Sequence, residues 1–356
     1  MTSPWEEPVR GGHPDPSLLA LAGIEQLRAM LDGRVPRPPI GRLTGMALTE
    51  VGAGSAVFAM QTTEWLASPQ GPPQPGSLCV LADGPLGCAV QSALPAGVVY
   101  STSELSLRVL RPAGSGGALT ARGSLVQGRR TIALSEVYIQ DNRGRLLAHG
   151  SSLCFLVAAD GVPPAARPAM PAGELPVERT LDPFERPPMG EVLPQEVWDR
   201  MSGLEVLQAQ IAGDLPWPPI YYLTGLRPTA AGDGSATFSI PATAWLCAPP
   251  PGRVEGGVVA LLADAAASSA IQTLLPAGTA IAPVDLKVNF VRPARTDGRQ
   301  IVANGRVVHR GRSIIVADAE VVDADGKTVS IARTSALVLP GRPASLAGVE
   351  PQRGLT

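Results

Sequence analysis

Residues 251–264 read Pro-Gly-Arg-Val-Glu-Gly-Gly-Val-Val-Ala-Leu-Leu-Ala-Asp. Two glycines, Gly256 and Gly257, open an apolar run, and the carboxylate of Asp264 follows about two helical turns later. The first N–H groups of a helix have no partner inside it and point at the space ahead. Such donors can hold a carbonyl oxygen as it becomes an oxyanion, worth roughly 100- to 1000-fold in rate per donor. Glycine lets a substrate come close to the backbone. A carboxylate can orient or deprotonate water, or attack a carbonyl itself. Along one helix the two features stand about 12 Å apart, too far to serve one small reacting centre. Two such helices packed antiparallel would set the glycines of one beside the carboxylate of the other.

A second helix of this kind exists because the chain is written twice. PRPPIGRLTG at 36–45 returns as PWPPIYYLTG at 216–225, and Gly54-Ser55-Ala56 returns as Gly234-Ser235-Ala236. Leu81-Ala82-Asp83 matches Leu262-Ala263-Asp264, and Arg111-Pro112-Ala113 matches Arg292-Pro293-Ala294. Gly128-Arg129 matches Gly311-Arg312. Solenoid units run at about 20–50 residues, so a period this long is a duplicated domain.

Each copy opens with helical spacing of apolar residues: Leu18, Leu21, Ile24, Leu27 and Leu31, then Val197, Met201, Leu204, Leu207 and Ile211. These runs predict one amphipathic helix per copy, stopped by Gly33 and Gly213. Strand-like runs follow at 43–50 and 54–63, and at 223–230 and 234–240. The long apolar stretches 76–94 and 257–275 lack strand alternation and predict buried helices. Alternation then marks further strands. In copy one they begin with Leu105, Leu107 and Val109 and continue near 118–127, 130–141 and 145–157. In copy two they begin with Leu286, Val288 and Phe290 and continue near 299–309, 313–323 and 327–339. Strand runs around one enclosed helix indicate an α+β class with an antiparallel sheet. The expected organisation is a first domain at 1–157, a Pro-rich extended linker at 158–194, a second domain at 195–340 and a tail at 341–356.

Composition narrows the function classes. A hydrophobic content of 45% supports packed cores, and a net charge of −2 without a basic stripe argues against nucleic acid. No signal peptide or membrane span is evident, and the scattered Cys79, Cys88, Cys154 and Cys247 suit small core residues in a reducing cytoplasm. His13, His149 and His309 lie apart from any metal-spaced cluster, so neither a metal nor a cofactor is expected. Dinucleotide, P-loop and nucleophile-elbow patterns are missing.

The Gly-Gly-x6-Asp segment, the Arg-Pro-Ala element and the later Gly-Arg resemble, in order and spacing, the PaaI-type acyl-CoA thioesterases of the hotdog fold. The resemblance covers about 40–157 and 220–339. It implies tandem hotdog domains, each an antiparallel sheet wrapped around a central helix, with sites where the domains pair. It also implies hydrolysis of an acyl-CoA thioester, and it leaves room for a homo-oligomer. Carried over residue by residue, Asp83 and Asp264 become the acidic groups and Gly256 and Gly257 the oxyanion donors. Glu255 stands where the family usually has His, and Pro249 where it has an upstream Asn. Arg111, Arg292, Arg129 and Arg312 resemble positions near the CoA phosphates. The family's Ser before the Arg-Pro-Ala element falls on Thr102 in copy one and on Pro283 in copy two. The acyl chain is expected against Ala260, Ala263 and Ala267.

The copies are unequal. Pro75 occupies the place of Gly256, and proline has no N–H to donate. One pairing, Gly256 with Asp83 and Thr102, is expected to be competent. The other, Pro75 with Asp264 and Pro283, is expected to lack both donor and hydroxyl. The residues leave open a non-catalytic acyl-CoA or acyl-carrier binding module. A hotdog hydratase would need a His beside Asp83 or Asp264, and none is near in sequence.

Overall fold

The computed structural model describes residues 2–159 and 180–343. Copy one runs α1 (Gly23–Leu31), α2 (Pro39–Thr44), β1 (Ala47–Gly52), β2 (Ser55–Gln61), α3 (Pro75–Ser92), β3 (Val98–Val109), β4 (Ala118–Gly128), β5 (Ile132–Gln140) and β6 (Leu146–Ala158). Copy two runs α4 (Gln195–Arg200), α5 (Gly203–Ala212), α6 (Pro219–Thr224), β7 (Arg227–Gly232), β8 (Ser235–Pro241), α7 (Gly256–Gln272), β9 (Thr279–Phe290), β10 (Gln300–Arg310), β11 (Ile314–Val322) and β12 (Thr328–Pro340). None of the described helices is long and apolar enough to cross a membrane.

All strands join one antiparallel sheet of 12, ordered β1-β2-β4-β5-β6-β3-β9-β12-β11-β10-β8-β7. The order reads the same from either edge, so the duplication becomes a pseudo-twofold arrangement with the β3–β9 seam at its centre. The seam pairs Leu105 with Val288 and Leu107 with Leu286. All four are fully buried and point toward the two long helices. Burying such a side chain contributes about 1.5–3 kcal/mol, so the alternation read from sequence also fixes which face of the joined sheet carries the core. Both α3 and α7 lie on that face, packed against each other and against the strands of their own copy.

Two local differences from the sequence reading have clear causes. The amphipathic run at the start of each copy breaks in two. In copy one a short helix at Pro16–Ala20 precedes α1, and in copy two α4 precedes α5. At the break, Gly23 N–H donates to Leu94 O and Gly203 N–H to Leu275 O, both at 3.0 Å. A side chain there would collide with the end of the central helix, since a Cβ on either glycine would lie 1.9 Å from a backbone oxygen of that helix. The hairpin strands also begin later than expected. The Pro-Pro-Ile segments form α2 and α6, which Gly45 and Gly225 end in the left-handed conformation.

These short helices tie the copies together. Ile40 N–H donates to Cys247 O at 3.3 Å, and Ile220 N–H donates to Ala67 O at 3.4 Å. Of the segment read as an extended linker, residues 160–179 lie outside the described residues, as does the tail beyond 343. Residues 180–194 are packed. A one-turn helix, Pro183–Glu185, rests on α2, while the matching turn Pro4–Glu6 rests on α6. Trp65 Nε1 donates to Arg186 O and Trp245 Nε1 to Glu7 O, each at 2.8 Å. The arms thus cross to opposite copies, and they meet where Arg186 grips both Glu7 carboxylate oxygens at 2.7 and 2.8 Å.

Candidate active site

The two central helices cross antiparallel in backbone contact, and glycine makes the contact possible. A Cβ on Gly257 would lie 2.5 Å from Cys79 O and 2.6 Å from the Cα of Val80. A Cβ on Gly76 would lie 2.6 Å from the Cα of Leu261. The close crossing brings each helix start onto the carboxylate of the other helix. Gly257 N–H donates to Asp83 Oδ2 at 3.2 Å, and Gly76 N–H donates to Asp264 Oδ2 at 2.8 Å. Sequence spacing could suggest that antiparallel pairing, and only the fold could realise it.

The two sides differ in what else surrounds the acid. Asp264 is fully buried. Its second oxygen accepts from Ser268 Oγ at 2.8 Å, one helical turn further on. Asp83 is half-buried, and at the position matching Ser268 it has Gly87. A Cβ on Gly87 would lie 2.1 Å from the hydroxyl of Tyr100, which reaches in from β3. The position matching Tyr100 in copy two is Ile281. One side therefore encloses its acid behind a serine. The other leaves its acid partly open beside a phenol.

Electrostatics sharpen the contrast. Burial raises the pKa of both aspartates to about 6. The N–H groups of Gly256 and Gly257 hold Asp83 down against that burial, and Gly76 N–H with Ser268 does the same for Asp264. Glu255 immediately precedes α7, next to these donors, makes no side-chain bond to them and is 6% exposed. Burial, then the charge of Asp83, pushes its pKa well up. Burial first, and then Asp83 among other groups, also raises the Cys88 thiol to about 12 and pushes the Tyr100 phenol up.

Several expectations need correction. The Pro75 side does not lack donor and hydroxyl. Gly76, one residue on, supplies the N–H, and Ser268 supplies the hydroxyl from the helix itself. On the open side the Gly257 N–H is engaged by Asp83. Thr102 sits just before a bulge in β3 and hydrogen-bonds toward Cys154 on β6, with no hydrogen bond to Asp83. Ala260, Ala263 and Ala267 are fully enclosed in the helix packing, so they offer no surface to an acyl chain. Arg111, Arg129, Arg292 and Arg312 are all exposed. Arg111 donates to Leu146 O at 3.1 Å, and none of the four bonds to the Asp83 cluster. Ser268 and Tyr100 escaped the sequence reading. The signal was available in the copies' own mismatch, Gly87 against Ser268 and Tyr100 against Ile281. Among the described residues no group of three or more His, Cys, Asp or Glu is placed to hold a metal ion.

Two central helices crossing over one face of a duplicated antiparallel sheet define a tandem hotdog fold. Solved structures share it. The TesB protein of Mycobacterium avium subspecies paratuberculosis superposes with a TM-score of 0.53 at 15% identity, covering 90% of this chain and 100% of that one. A hot dog fold protein of Alicyclobacillus acidocaldarius gives 0.52 at 13%, covering 85% and 98%. An acyl-CoA thioesterase II of Mycobacterium marinum gives 0.51 at 10%, covering 85% and 98%. The profile of the thioesterase superfamily matches residues 251–330, which hold Gly256, Gly257 and Asp264. A Halobacterium salinarum protein named as an esterase is 35% identical over 121 residues, 31% of this chain and 78% of that protein. The chain belongs to the thioesterase superfamily.

Proposed function

We propose that the protein hydrolyses an acyl-CoA thioester at the open side of the helix crossing, with Asp83 as general base. The observation that carries this reading is the half-buried Asp83 held against the start of α7 by Gly257 N–H at 3.2 Å. Its counterpart Asp264 is enclosed and doubly bonded. A base with a pKa of about 6 is ionised at neutral pH yet close enough to it to accept a proton from water. Asp83 accepts from the Gly257 N–H at the helix end. On binding, the thioester carbonyl takes over the Gly256 N–H, and Asp83 keeps Gly257 while it activates water. The N–H then stabilises the oxyanion, a contribution of about 10²- to 10³-fold. Thr102 acts through Cys154 by fixing the strand beside Asp83. The exposed Arg111, Arg129, Arg292 and Arg312 would meet the CoA phosphates in this reading, and a homo-oligomer of this chain is compatible with it.

The test is a thiol-release screen over short, medium, long and aryl acyl-CoAs, followed by paired variants. Asp83→Asn is expected to lower turnover by about 10³-fold, within the range for a lost general base. Asp264→Asn is expected to leave turnover within about twofold, since Asn keeps the acceptor for Gly76 N–H. Wild-type kcat/KM should rise with pH about a midpoint near 6 as Asp83 ionises. Binding of intact acyl-CoA with no turnover of any chain length would replace this reading with that of a binding module.

A further inference from the structure

We propose that Glu255 is the acid that protonates the departing thiolate sulfur, so that the open side works with one base and one acid. The inference rests on the hydrolase reading and extends it to the leaving group.

Glu255 is the residue immediately before Gly256, at the start of α7. It is 6% exposed, and among the described residues its Oε2 has no hydrogen-bond partner. An ionised carboxylate in such a place would be strongly destabilising, and a carboxyl group answers by staying protonated. The groups that act on it or feel it are Asp83 and Cys88 on α3, Tyr100 on β3 and Cys247 in the loop before α7. None of these is a cation, so none favours its ionised form. Asp83 differs because two helix N–H groups face its carboxylate. Two carboxyl groups in one site, driven apart by their surroundings, divide into a base and an acid.

The other helix crossing supplies a control within the same molecule. Gln74 stands at the start of α3 where Glu255 stands at the start of α7. A glutamine fills the same volume and has no proton to give. The acid is thus present only on the side whose aspartate is open.

The step balances. Asp83 takes a proton from water as the water oxygen bonds to the thioester carbonyl carbon. The oxyanion collapses, the C–S bond breaks with its electron pair going to sulfur, and sulfur takes the Glu255 proton. The products are a carboxylic acid and a free thiol. Asp83 then returns its proton to Glu255, so the enzyme is restored and one water is consumed.

Leaving-group dependence tests this directly. One acyl group is presented on an alkyl thiol such as CoA and on a thiophenol, whose thiolate departs without help. Glu255→Gln is expected to lower kcat about 100-fold on the alkyl thioester and less than about fivefold on the aryl one, with little change in KM. Equal losses on both would mean a positioning or structural role and would overturn the proposal. Wild-type inactivity on both would instead sink the hydrolase reading, and the proposal with it. Should E255Q not fold, Glu255→Asp carries the same comparison, because a displaced acid must also cost more on the alkyl thiol.

Discussion

The two sides of the helix crossing share a backbone geometry and differ in outcome. In both, a glycine N–H from one helix reaches a carboxylate on the other. Asp264 has a second donor and no solvent, so its bonding capacity is spent on holding the two repeats together. Among the described residues Asp83 has no side-chain donor, and it remains half-buried, so its capacity is available. The distinction turns on Gln74 against Glu255, Pro75 against Gly256, Gly87 against Ser268 and Tyr100 against Ile281. One crossing is enclosed and doubly bonded, and the other is the one we propose as the site.

The aspartate pair described above is the largest test of that comparison. The next is the pH dependence of stability. A carboxyl raised from 3.8 to about 6 by folding keeps a proton that the unfolded chain has released. The contribution of Asp264 therefore grows as pH falls from about 6 to about 4, and is smallest above pH 7. The difference amounts to about 3 kcal/mol. Asp264→Asn removes it, so urea melts of wild type should gain on those of D264N between pH 7.5 and 4.5. A gap that stays constant would show that Asp264 is not the enclosed acid the structure describes.

Glycine substitutions separate the joint from the site. Gly257→Ala sets a Cβ 2.5 Å from a backbone oxygen of α3 and should cost about 3 kcal/mol in thermal unfolding. Gly256→Ala meets instead Asp83 Oδ2 at 3.0 Å. It should melt near wild type and lose about tenfold in turnover, as the carboxylate is displaced. A sharper exchange converts one side into the other. Gly87→Ser with Tyr100→Ile gives Asp83 the neighbours of Asp264, and kcat should fall about 100-fold as the new hydroxyl binds the base. Full activity in that double variant would break the account of why the sides differ. The smallest effect is expected from Ser268→Ala. Loss of one partner of a buried carboxylate should cost about 1–2 kcal/mol, with thioester turnover unchanged.

Much of the fold was legible because its signals are local. The period-2 pattern around Leu286 and Val288 marked a half-buried strand, and the unbroken apolar run at 257–275 marked α7. Gly87 and Tyr100 carried no local signal. Their meaning depends on a phenol from β3 filling the space a side chain on α3 would need. The break at Gly23 was equally hidden, because its cause is the end of another helix.

The sequence alone determined the repeat, the antiparallel α+β plan, the glycine–carboxylate spacing and the inequality of the two copies. All are properties of residue order, read within a few turns or by register against the other copy. Only the tertiary structure decided which acid is sealed and which is open. That outcome depends on solvent access and on a second donor. Both arise where helices more than 170 residues apart in the chain touch at their glycines.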